Sequence, residues 1–244
     1  MNNKYDYVMS LGFNCEVSFR LTDYFNEIST YLYSWCGELD RDLFVESLSH
    51  MDSIFKNGVS VTEENLLNCD TFQIKFHPRH ELFPAVGEYT QQQFEEAKEE
   101  LDNRLSHLKE KTKKAFKSEK KKLFFIKVED KGEQSNIEYI QKLYSTLKKN
   151  CAENSITLVC TLEKKALTKS IKDLETEDLL IRSIYCFAPI KHTDVFGDVI
   201  GWYKVINGVV QEKNNKYFSN LLKREWNTLP GKVIYRIKRT FIKG

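Results

Sequence analysis

The sequence predicts a three-layer α/β domain with a mostly parallel central sheet. Two observations lead there: apolar runs too continuous for half-exposed strands, and amphipathic helical stretches between them. A third agrees: at 244 residues, with 41% apolar and 13% aromatic residues, the chain can bury one sizeable core.

Strands are expected near Tyr5–Leu11, Thr71–Phe76, Lys122–Val128, Ser155–Leu162 and Leu179–Phe187, each bounded by polar turns. A helix is expected over Glu16–Leu21. Thr90 with Gln93, and Ser135 with Glu138, have the spacing of reciprocal N-terminal caps. Beyond them, Phe94, Ala97, Leu101, Leu105 and Leu108 form one apolar stripe at helical spacing. Ile137, Ile140, Tyr144 and Leu147 form another. The lysine-rich run Lys109–Lys122 reads as a solvated helix end and loop. Its charges are not interleaved with aromatics, so no nucleic-acid partner is expected. Residues 1–222 read as a single α/β domain and 223–244 as a tail.

The tail holds seven basic residues against the single acid Glu225, giving it +6 and the preceding body −4 of the net +2. Val233, Ile234, Ile237, Phe241 and Ile242 lie among those charges. As a helix, the tail would present an apolar side edged by basic residues, which reads first as a helix docked on the domain with its charges in water and second as a contact for an anionic membrane surface. No apolar run approaches the roughly 20 residues that span a bilayer, and the start MNNKYDYV lacks the regions of a signal peptide. The expected location is the cytoplasm, and peripheral contact at the inner face of the membrane through the tail is the alternative that the second reading of the tail adds.

Six cysteines are scattered without C-x-x-C spacing, so no metal site, redox pair or other cofactor is expected, and the cysteines should be thiols. Cys160 and Cys186 lie within apolar runs and read as core packing. Cys15 differs. In VMSLGFNCEV a strand turns at Gly12 and sets Cys15 at a helix start, beyond the carboxyl end of the first strand, where open parallel sheets collect ligands. Backbone N–H groups there would favour a thiolate, and together with the Asn14 amide they could hold an oxyanion. This makes the segment a nucleophile-bearing turn. A base would come from His77 or His80 in KFHPRHEL, read as the same sheet edge as Cys15, or from His192; Glu81, Glu88, Glu129 and Asp130 could orient it.

Ser10-Leu11-Gly12-x-x-Cys15, Trp35 after a short apolar run, KFHPRHEL, Phe124-Phe125-Ile126-Lys127, and Asp198 followed by Trp202 occur in that order. Together they resemble a bacterial family labelled papain-like cysteine peptidase, a domain of unknown function. The resemblance covers roughly the first four fifths of the chain, and its most specific element is SLG-x-x-C. It implies Cys15 as nucleophile and His80, followed by Glu81 where the family has His-Asp-Phe, as base. His77 is the rival, because Pro78-Arg79 looks inserted. Ser34 stands where the family has an aspartate before Trp35, and Lys127 where it shows arginine. A papain-like domain sets its cysteine helix ahead of an antiparallel barrel. The parallel pattern here is closer to an SGNH-type esterase with cysteine in the serine position.

The expectation is a cysteine-dependent hydrolase or acyl transferase acting on a peptide, ester or glycan substrate. Two rivals are a sugar- or nucleotide-handling protein of a surface-polysaccharide pathway, with the SLGFNC turn binding phosphate or sugar, and a non-catalytic binding domain.

Overall fold

The computed structural model describes residues 4–12, 15–25, 29–38, 40–79, 81–85, 87–185 and 198–210. Asn14, His80, Cys186, His192 and the tail 223–244 lie outside them. In chain order the elements are β1 (Tyr7–Leu11), α1 (Glu16–Phe25), β2 (Cys36–Glu38), α2 (Arg41–Ser47), β3 (Val59–Val61), β4 (Leu67–Cys69) and β5 (Ile74–Phe76). They continue with α3 (Gln91–Lys117), β6 (Lys122–Lys127), α4 (Glu133–Asn150), β7 (Ile156–Glu163), α5 (Lys169–Lys172), β8 (Leu179–Ile184) and α6 (Val199–Val210).

The central sheet has the order β1-β6-β7-β8, and every neighbouring pair is parallel. Continuous apolar sequence is what burial on both faces demands, and β6 is buried along its whole length. Phe124, Ile126, Leu158, Cys160 and Ile181 face a core shared with α2, α3, α4 and α5. The alternate positions Leu123, Phe125 and Val159 face Val17 and Leu21 of α1 and Trp202 and Ile206 of α6. The chain is therefore α/β, with a parallel four-stranded sheet flanked by helices on both faces. No helix among the described residues is long and apolar enough to cross a membrane.

The run Thr71–Phe76 does not belong to the parallel sheet. Only Ile74–Phe76 is a strand, and it sits in a second, antiparallel sheet of order β2-β5-β4-β3. The cause is local: Asp70–Gln73 make a tight turn, with Gln73 at φ 51° and its N–H donating to Cys69 O at 2.8 Å, which folds β5 back on β4. His77, immediately after β5, thus leaves the second sheet rather than the edge that carries Cys15.

The capping pair at Thr90 and Gln93 forms: Thr90 N donates to Gln93 Oε1 at 2.8 Å, and Gln93 N to Thr90 Oγ1 at 3.2 Å. The one expected at Ser135 does not. Gly132 at φ 91° opens α4 earlier, which puts Ser135 inside its first turn. The lysine run is also less solvated than its composition suggests, since α3 extends to Lys117 and two of its lysines are buried. Lys109 Nζ donates to Ile54 O at 2.7 Å, and Lys122 Nζ donates to Lys120 O and Ser155 Oγ at 2.9 and 2.8 Å. Each ammonium is tolerated because it is hydrogen-bonded.

Candidate functional site

The connection from β1 enters α1 on one face of the sheet, and that from the adjacent β6 enters α4 on the other. Neighbouring parallel strands whose connections part in this way leave a crevice beyond their carboxyl ends. Gly12 closes β1 there. Its φ is +43°, its N–H donates to Tyr33 O at 3.2 Å, and a Cβ at this position would lie 2.6 Å from Phe44 Cε2. Backbone twist and the approach of the Phe44 ring both require glycine.

Cys15 follows at the start of α1, its carbonyl accepting the Phe19 N–H at 3.0 Å. The thiol is partly buried, whereas Cys36, Cys69, Cys151 and Cys160 are buried. Burial pushes the Cys15 thiol above its ordinary value. That opposes the downward pull expected of a helix start, so the thiol rests protonated at neutral pH.

At the carboxyl ends of β6 and β7 the face turned to α1 and α6, apolar elsewhere, carries buried polar groups. Glu16, the first residue of α1, accepts from Lys127 Nζ at 3.1 Å and from Trp202 Nε1 at 3.0 Å. The Lys127 and Glu16 side chains are 2% and 3% exposed and Trp202 is 1% exposed. One carboxylate thereby joins the ends of β6, α1 and α6. In the same row, Thr161, paired with Lys127 in the β6–β7 register, is buried and its Oγ1 has no hydrogen-bond partner among the described residues.

A second polar knot fixes the entry to α1. Ser10 Oγ and Ser18 Oγ lie 2.5 Å apart, and both donate to Ser34 O, Ser10 at 3.2 Å. Ser34, at the position where the resembled family has aspartate, turns its hydroxyl inward to accept the Tyr31 N–H at 3.0 Å. That residue shapes the turn ahead of Trp35. Trp35 packs edge-on against Phe19, one turn along α1 from Cys15, with ring centroids 5.0 Å apart.

Of the residues singled out in the sequence, Lys127 and Trp202 meet, on a carboxylate the sequence reading passed over. Glu16 and Ser18 carried a signal: they interrupt the inward stripe of Val17, Leu21 and Tyr24 with buried polar groups. His77 is exposed, its carbonyl accepting from Arg104 NH2 at 2.7 Å. It adjoins Trp35 through the β2–β5 pairing, in which Cys36 faces Phe76. His50 and His107 are exposed. Among the described residues no group of three His, Cys, Asp or Glu side chains is placed to hold a metal ion. The chain matches no protein-family model, no curated protein and no solved structure.

Proposed function

We propose that the protein is a cysteine-dependent hydrolase or acyl transferase with Cys15 as nucleophile. The observation that carries this reading is the position of Cys15. Among the described cysteines it alone is not fully buried, and it starts α1 at the crevice between the carboxyl ends of β1 and β6. Because burial keeps the thiol protonated, attack requires a base. The imidazole of His80 or His77 accepts the thiol proton as sulfur bonds to the substrate carbonyl carbon. It then returns that proton to the departing alcohol, amine or thiol. Water or a second acceptor cleaves the resulting thioester, regenerating the thiol. The α1 N–H groups and the Asn14 amide hold the oxyanion.

Limited iodoacetamide labelling with peptide mapping tests the reading. Cys15 is expected to alkylate faster than Cys160, and a His77→Ala or His80→Ala substitution should slow it near neutral pH without unfolding the protein. Equal rates at Cys15 and Cys160 would overturn the nucleophile.

A further inference from the structure

We infer that Phe19 and Trp35 form the subsite that receives an uncharged apolar group next to the carbonyl attacked at Cys15. The inference rests on the reading of Cys15 as nucleophile and adds a substrate class to it.

Phe19 is 49% exposed, the only exposed phenylalanine among the described residues. Val17 and Leu21, two positions away on either side, lie on the buried face of α1, so Phe19 points outward and leaves that aromatic surface in water. Its place is specific. The Phe19 N–H bonds to the Cys15 carbonyl, so the two residues are one helical turn apart on one side of α1, about 6 Å along the axis. A substrate bonded at Cys15 and extended along the helix meets the Phe19 ring.

Trp35 completes a corner. Its ring stands at 80° to that of Phe19, so one ring face and one ring edge meet at nearly a right angle. Ser34, held inward by the Tyr31 N–H and by the hydroxyls of Ser10 and Ser18, fixes the turn that delivers Trp35. The charged groups of α1 are engaged elsewhere: Glu16 points into the core against Lys127, and Arg20 is buried and lies 4.0 Å from Asp23. Among the described residues of α1, none therefore turns a charge toward the corner, which offers aromatic carbon on that side. It suits an aliphatic or aromatic side chain or acyl chain better than a charged or heavily hydroxylated one.

Three reagents on the full-length protein test this: iodoacetamide, N-hexyl-iodoacetamide and N-iodoacetyl-glucosamine. In each, the Cys15 sulfur bonds to the methylene carbon, iodide leaves and the thiol proton passes to solvent. The ratio of the hexyl rate to the iodoacetamide rate at Cys15 cancels any change in the thiol itself. It is expected to exceed unity by roughly tenfold, about what burying half a side chain provides, and to fall toward unity in Phe19→Ala and in Trp35→Leu. A ratio of unity in the unmodified protein, or one that survives both substitutions, overturns the subsite. Faster reaction with the glucosamine reagent overturns its apolar character. Failure of all three reagents at Cys15 removes the nucleophile, and the subsite with it.

Discussion

Lys127 Nζ donates to Glu16 Oε2 across 3.1 Å at a point where neither side chain is more than 3% exposed. Such a pair gains little net stability from being charged, but it becomes costly when only one partner is left. Lys127→Met should lower unfolding stability by about 3–5 kcal/mol, because the Glu16 carboxylate stays buried after losing the Lys127 ammonium. Adding Glu16→Gln, which keeps an acceptor for Trp202 Nε1, should recover at least about 1 kcal/mol of that loss. Urea unfolding of the two single variants and the double variant completes the cycle, and strictly additive losses would show the two residues to be uncoupled.

Gly12 makes the second prediction. Its positive φ and the 2.6 Å approach of a built Cβ to the Phe44 ring leave no room for a methyl group, since Phe44 is itself fully buried. Gly12→Ala should cost about 2 kcal/mol or more. In a Phe44→Leu background, where the ring is gone, the added cost should shrink. The same urea titration measures both, and an undiminished cost would assign the penalty to backbone strain alone.

The third prediction concerns pH. Burial pushes the Cys151 thiol up to about 12, with Lys122 drawing it partly back. An unfolded thiol titrates near about 8.5. The folded state holds this proton more tightly, so the contribution is complete below the unfolded value and is lost as pH rises toward the folded one. Between about pH 8.5 and about pH 11 the protein should lose stability faster than its Cys151→Ala variant, by on the order of 1 kcal/mol per pH unit. Cys15 and Cys160 titrate in the same direction but are present in both proteins, so the difference in slope isolates Cys151. Parallel slopes would mean that the thiol reaches solvent.

The parallel strands were legible because burial on both faces writes an unbroken apolar run, as in Lys122–Lys127 and Ile156–Glu163. The second sheet was not, because its three-residue strands are too short to show a period. For that reason the apolar run before His77 reads as one more parallel strand, whereas it pairs in the antiparallel sheet. At the site, Gly12 at the end of β1 and the start of α1 at Glu16 were readable, since a glycine and a helix start are local signals. The partners of Glu16 were not, as 111 and 186 residues separate it from Lys127 and Trp202. Only the three-dimensional crossing of α1, β6 and α6 joins them. Ser135 misled for the opposite reason: a sound local cap signature lost to a glycine three residues earlier.

The order β1-β6-β7-β8 also sets a schedule for synthesis. Strands β6, β7 and β8 follow one another with a single helix between neighbours, so they can pair as soon as each leaves the ribosome. The first strand must wait: Tyr7 pairs with Lys122, and no partner for it exists until nearly half the chain has been made. The Glu16 carboxylate waits longer still, for Trp202 near the end of the described chain. Closing so long a loop is slow, and the first strand and α1 remain exposed to other partners meanwhile. A nascent or truncated chain that stops before residue 199 can build most of the parallel sheet and yet lack the contact that seats the helix behind Cys15. The helix that begins after Cys15 is thus seated late, by a residue made long after the helix itself.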